Sequence, residues 1–229
     1  MTAPLCILTR PEALSRAFAA ELPGLAVLIA PILRIEPLEF DANRLARARG
    51  MVFTSANAVP FAGPARGRPA LCVGAETGAA ARAMGWQVTE GPGDAAGLMP
   101  LLAGHEDFLH LHGRHVARVL PVAGMAVYDQ VAVPPGPAFA AAIRGARPLI
   151  LPVFSPRSGA LLADAMADAR APVATVAISA RADQAYDGPT GLRVIAEHPS
   201  RAGMLRAILS LAGTERSPMP WVEAERGGR

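Results

Sequence analysis

The chain has 229 residues, of which 52% are hydrophobic and 18% charged, so it is long enough for a packed core and too apolar to stay disordered. No apolar run approaches the roughly 20 residues that cross a bilayer, and the first run is strand-length with no basic region before it, so neither a membrane span nor a signal peptide is expected. The net charge is only +3, and all 22 basic residues are Arg. With no Lys, Schiff-base chemistry and a P-loop are excluded.

The elements fall into two halves. The first reads as strand "LCILTR", a helix from Pro11, strands "LAVLIAP", "MVFTS" and "ALCVG", helix "ETGAAARAMG" and strand "WQVTEG". The second reads as strand "FLHLHGR", a helix through "HVARVLPVAG", strands "MAVYDQV", "LPVFSP" and "VATVAIS", helix "RADQAY" and strand "LRVIAEH". The order matches at nearly constant spacing. Arg10 falls opposite Arg114, Phe53 opposite Phe154, and Gly74 opposite Ser179. The closing segments "GDAAGLMPLL" and "SRAGMLRAIL" also agree. Short strands alternating with helices predict parallel sheets covered on both faces. An internal repeat of such units predicts two α/β lobes. The breaker-rich C-terminus, about 213–229, is expected to be a mobile tail.

Ligands of open α/β sheets bind outside the carboxyl ends of the strands. Here those ends are Thr9-Arg10, Thr54-Ser55, Gly74-Ala75, Gly113-Arg114, Ser155-Pro156 and Ser179-Ala180. Small and hydroxylated residues at helix starts leave backbone N–H groups open to anions. Each Ser or Thr is, singly, an ordinary N-cap. As a set repeated on both halves, they predict a binding cleft lined by main-chain donors.

Other signals are weaker. Cys6 and Cys72 lie in expected buried strands without a spacing motif, which fits a reducing compartment. "HEDFLHLHGRH" holds four of the five histidines, with His110 and His112 on one strand face. No Cys or second acidic cluster joins them, so packing or surface is the expected role and no metal is predicted. "VGAETGAAARAMG" lacks dinucleotide-fingerprint spacing. The arginines are scattered singly with little aromatic interleaving, so nucleic acid is not an expected partner.

The ordered set "LTRP", "FTSANAV", "CVGAETGAAARAMGW", "LHGRHVARVLP", "VYDQVAV" and "FSPRSG" resembles the uroporphyrinogen-III synthases, from about Leu5 to Leu211. The resemblance implies an α/β fold of two flavodoxin-like lobes, with parallel sheets flanked by helices and joined by a two-segment hinge. It also implies that the halves are exchanged, with one lobe at 1–34 plus 133–229 and the other at 35–132. The Pro-bearing "APILRIEPLEF" and "YDQVAVPPGPAF" suit extended crossings, since proline disfavours helix.

The implied activity is cofactor-free and cytoplasmic, performed by a monomer. The linear polycarboxylate hydroxymethylbilane is closed in an interlobe cleft, with inversion of the last pyrrole ring and loss of water. Tyr128 in "VYDQ" aligns with the family's tyrosine and is the expected proton donor. A tyrosine packed at the hinge is the competing role, and Asp129 is either a rival acid or, the expected case, a solvated carboxylate. Arg10, Arg114 and Arg157 are expected to meet substrate carboxylates. Ser55, Asn57, Gly74, Thr77, Ser155, Ser158 and Ser179 are expected to line the substrate. One turn departs from the family pattern: "ISARADQAY" stands where a Gly-x-Thr-like turn is common. Two other classes share the architecture, a two-lobed binding module for an anionic small molecule and a flavodoxin-like cofactor protein or receiver-like switch.

Overall fold

A computed structural model describes residues 2–116 and 118–213. The expectation for a mobile C-terminal tail falls, apart from Gly213, outside the described residues. The chain divides into two compact units, Met1–Arg34 with Ala132–Arg229, and Ile35–Val131.

The first unit holds strands β1 (Leu5–Leu8) and β2 (Ala26–Ile29), with helix α1 (Glu12–Ala19) between them. Strand β3 (Leu33–Pro37) carries the chain across the unit boundary. The second unit continues with α2 (Ala42–Arg47), β4 (Met51–Phe53), a 3-10 helix (Ala56–Ala62), β5 (Pro69–Cys72), α3 (Ala75–Ala83) and β6 (Gln87–Glu90). It then runs through α4 (Ala95–Leu98), a second 3-10 turn (Met99–Leu102) and β7 (Leu109–Gly113) to β8 (Ala123–Ala132), which leads back across the boundary. The first unit is completed by α5 (Pro137–Arg144), β9 (Leu149–Val153), α6 (Pro156–Ala165), β10 (Val173–Ala177), α7 (Ala180–Gln184), β11 (Leu192–Ile195) and α8 (Arg201–Leu211).

The first unit's sheet runs β2-β1-β9-β10-β11, all parallel. The second unit's sheet runs β3-β8-β7-β4-β5-β6, and its β8-β7-β4-β5-β6 portion is parallel. Counted from β7, that portion repeats the spatial order of the first sheet. Leaving β3 aside, each sheet therefore takes two strands from one half of the chain and three from the other. Parallel neighbours need crossovers. Helices supply them throughout the first unit and between β5 and β6, a 3-10 helix between β4 and β5, and a segment whose described residues form no helix between β7 and β8.

Burial follows from this order. β9 "LILPV" and β10 "VATVA" are buried at every residue, as central strands covered on both faces must be. Edge strands β2 and β11 are only half-buried. Alternation sends Ile7, Leu149, Leu151 and Val153 to one face, with Phe139, Ile143 and Leu162 of α5 and α6. It sends Cys6, Leu8, Ile150 and Val176 to the other, with Phe18 of α1 and Met204 and Ile208 of α8. In the second unit Met51, Phe53, Leu109 and Leu111 face the first 3-10 helix and Trp86. Val52 and Leu71 face Leu98, Leu102, Phe108 and Leu120.

The sequence expectation fails at "HVARVLPVAG". The described residues between Gly113 and Ala123 form no helix. A helix there would have to bury a stripe of its valines, yet Val116 and Val119 are exposed, and among the described residues of the segment only Leu120 is buried. Pro121 then precludes continuation, and the chain enters the ten-residue β8. The closing segments also differ. In the second unit Pro100 follows α4 after one turn and the chain tightens to 3-10, whereas α8 runs 11 residues.

Candidate functional site

The carboxyl ends of β4 and β7 and the middle of β8 bring three predicted residues together in the second unit. Ser55 follows β4 in extended conformation and caps the 3-10 helix, its Oγ accepting the Asn57 N–H at 3.2 Å. Tyr128 is 3% exposed on β8. Its ring stacks on Phe61, with centroids 5.9 Å apart and planes at 15°. Burial pushes the phenol above its ordinary pKa, while hydrogen bonding to the Ser55 and Asn57 side chains and to the Gly113 backbone opposes the rise. The tyrosine thus keeps its proton at neutral pH while its oxygen is held by polar groups.

Tyr128 points this way because β8 bulges. His112 pairs with Ala126, but Gly113 pairs with Tyr128, so Val127 is an extra residue. A bulge re-aims the side chains that follow it. Strict alternation would place Val127 and Tyr128 on opposite faces, yet both pack in the cluster of Phe53 and Leu111. Gly113 provides the room opposite. A Cβ there would lie 2.7 Å from Tyr128 Cε2 and 3.1 Å from its hydroxyl oxygen.

The neighbouring charges are paired. Arg114 donates its backbone N–H to Tyr128 O at 2.8 Å, and its Nε lies 3.0 Å from Asp129 Oδ2. His115 Nε2 is 3.7 Å from the other Asp129 oxygen, which also accepts the Gln130 N–H at 2.7 Å. Asp129, weighed as a rival acid or a solvated carboxylate, is the anchor of this cluster. Gly74 and Thr77 occupy the β5–α3 turn, where a Cβ on Gly74 would lie 2.9 Å from Gly93 Cα. Thr77 is buried in the first turn of α3.

In the first unit the Arg10 guanidinium lies over Phe154, 4.7 Å from the ring centroid. Phe154 in turn meets the Phe18 ring edge-on at 5.1 Å, and buried Ser15 Oγ donates to Arg10 O at 2.9 Å. Guanidinium stacking of this kind fixes the plane of the fork without consuming its N–H groups. The hydroxyls beside it serve as caps. Ser155 and Ser158 form a reciprocal capping box on α6, each backbone N–H reaching the other's Oγ at 3.1 Å. Arg157 lies in that same first turn. Ser179 Oγ accepts the Ala182 N–H at 3.3 Å at the start of α7. A recess of about 440 Å³ lined by Arg144 and Ala167 to Arg170 precedes β10, at the amino ends of the strands and away from these residues.

Phe61 was not picked out by sequence reasoning, nor was the contact between Thr54 and His110; Gly113 was named only as a strand end. Of the two roles expected for the histidines, His110 takes packing: it is buried, and its Nε2 lies 2.9 Å from Thr54 Oγ1. Gly113, immediately before the singled-out Arg114, was the available signal. The bulge that makes a glycine necessary there has no sequence signature.

Paired parallel α/β sheets with polar groups at their carboxyl ends define a class of small-molecule enzymes and binders. Within it the chain belongs to the uroporphyrinogen-III synthase (HemD) family, whose HEM4 pattern matches residues 13–206. The fold is similar to that of the uroporphyrinogen-III synthetase of Helicobacter pylori, at 17% identity and TM-score 0.57 over 92% of this chain and 100% of that one. A mutant uroporphyrinogen III synthase of Thermus thermophilus is similar at 16% identity and TM-score 0.50, over 94% and 100% of the two chains. Comparison with curated protein sequences gives no match. Among the described residues no helix is long and apolar enough to cross a membrane.

Proposed function

We propose that this chain is a cyclising hydro-lyase that converts hydroxymethylbilane to uroporphyrinogen III and water. Membership of the family across residues 13–206 is the observation that carries the reading.

The reaction begins with loss of a hydroxyl from the carbon attached to an electron-rich pyrrole. In the proposed mechanism the Tyr128 O–H donates its proton to that departing oxygen, which leaves as water. The resulting cationic azafulvene is attacked by the substituted α-carbon of the last ring, giving a spiro intermediate. That intermediate fragments and recloses with the ring inverted. Proton loss on rearomatisation returns a proton to the phenolate, so atoms and charge balance. The placement of the Tyr128 hydroxyl beside the Ser55 and Asn57 side chains supports the first step, since a polar shell can hold the phenol in position and share the charge left on its oxygen.

The substrate is a polycarboxylate. Arg10, with its fork oriented by Phe154, and Arg157 are the proposed carboxylate partners in the first unit, where Ser155, Ser158 and Ser179 present helix starts. Ser55, Asn57, Gly74 and Thr77 are the proposed contacts in the second unit. Arg114 is the proposed partner whose use would compete with Asp129. Folding the bilane so that the correct carbon attacks is an orientation effect, and most of the catalysis is expected there. Buried, unpaired Cys6 and Cys72 support a reducing, cytoplasmic setting. Few large apolar side chains are exposed among the described residues, which supports a monomer. The test is conversion of the bilane, with the porphyrin isomers resolved after oxidation. A predominance of isomer III over the protein-free control is the expected result; isomer I alone would refute the assignment.

A further inference from the structure

β4 and β7 are neighbours in parallel register, with Val52 opposite His110 and Phe53 opposite Leu111. Side chains alternate along a strand. His110 therefore shares a face with Val52, and the next side chain on that face from β4 is Thr54. Ser55 is turned to the other side, where Phe53 packs with Tyr128. His110 is 3% exposed, and the bond from its Nε2 to Thr54 Oγ1 spans 2.9 Å. An imidazole buried this deeply must be hydrogen-bonded to be tolerated, so the bond is one the fold cannot drop cheaply. The His112 ring packs 4.8 Å from that of His110, and its Nδ1 lies 2.7 Å from Gly113 O. Two adjacent imidazoles thus hold, from behind the sheet, both backbone segments that flank the Tyr128 hydroxyl.

We propose that His110 is a positioning residue: through the Thr54 hydroxyl it fixes the β4 turn so that Ser55 stays in hydrogen-bonding register with Tyr128. The inference deepens, and rests on, the reading of Tyr128 as proton donor. The His110 side chain bonds to Thr54 and packs on the His112 ring, and the proposal gives it no direct part in the reaction. It acts through one bond on one turn.

The chain has two tyrosines, so tyrosine labelled with carbon-13 at Cζ gives two resonances, and Tyr186→Phe assigns them. Thr54→Val removes the hydroxyl at nearly constant shape, and Thr54→Ser keeps it. In Thr54→Val the Tyr128 resonance is expected to shift or broaden while that of Tyr186 stays. The same variant should lose about fivefold in kcat at unchanged KM, the size of one hydrogen bond. Thr54→Ser should match wild type in both readouts. In a His110→Phe background, Thr54→Val should add nothing, because the partner is already gone. A Tyr128 resonance unmoved in Thr54→Val overturns the inference and leaves the family activity untouched. A moved resonance with unchanged kcat supports the positioning and removes Tyr128 from the reaction. A moved resonance in a protein that makes no isomer III supports the positioning and sinks the functional reading alone.

Discussion

Gly113 and Tyr128 face each other across the β7–β8 ladder, and a side chain on the glycine would occupy the tyrosine ring's place. The added Cβ would stand 2.7 Å from Cε2 and 2.8 Å from Cζ. Ring and glycine are therefore one feature, made possible by the extra residue Val127. Gly113→Ala is expected to push the phenol away from Ser55 and Asn57. The overpacking should cost about 1–3 kcal/mol of stability, visible in urea unfolding, and kcat should fall further than the loss of folded protein explains. A variant with wild-type stability and rate would show that the tyrosine can move without consequence.

Tyr128→Phe separates packing from chemistry. The ring, its stack on Phe61 and its burial are kept, and only the hydroxyl is lost. Loss of a proton donor is expected to lower kcat about a hundredfold, with KM little changed and the melting temperature near that of wild type. A rate within the scatter of wild type would assign the tyrosine a packing role only.

His110 makes stability depend on pH. Burial first, and the neighbouring His112 second, bring its pKa from 6.5 down to about 4. Above pH 6.5 the imidazole is neutral in both folded and unfolded chains and contributes no pH dependence. Between pH 6.5 and about 4 the unfolded chain takes up a proton that the folded one refuses, so stability falls with falling pH. The shift corresponds to about 3 kcal/mol by pH 4. Denaturant unfolding at pH 7 and pH 4.5 should show the loss in wild type and a smaller one in His110→Gln. An equal loss in both would place the acid sensitivity elsewhere.

The capping serines are expected to divide stability from turnover. Ser155→Ala removes one side of the α6 capping box and should cost about 1 kcal/mol. Ser179→Ala should cost no more, because its single cap bond is longer, at 3.3 Å. If these hydroxyls also meet the substrate, KM rises in proportion beyond the stability effect. If KM is unchanged in both variants, the caps are structural and the anion contacts are main-chain ones.

Much of the architecture was legible in the sequence because alternation and breaker residues act locally. "LILPV" and "VATVAIS" are apolar enough to mark central strands by their residues alone, and Ser155 and Ser179 mark helix starts that the fold uses as caps. The failures were tertiary. "HVARVLPVAG" has residues compatible with a helix, but its described residues before β8 pack only through Leu120 and Val122 and leave Val116 and Val119 exposed, so they stay irregular. At the candidate site, Ser55, Asn57 and Tyr128 were legible as motif residues. Their convergence was not, because it depends on a bulge that shifts β8 by one residue against β7. The histidine pair was read as surface or packing because the partner of His110 is a threonine 56 positions away on another strand.

The central claim is that this chain closes hydroxymethylbilane with inversion of the last ring. The most direct measurement incubates the purified protein with freshly generated bilane, oxidises the products and quantifies porphyrin isomers I and III beside a protein-free control. The account predicts predominance of isomer III with the protein and isomer I without it. Isomer I alone, from protein shown to be folded, would contradict it.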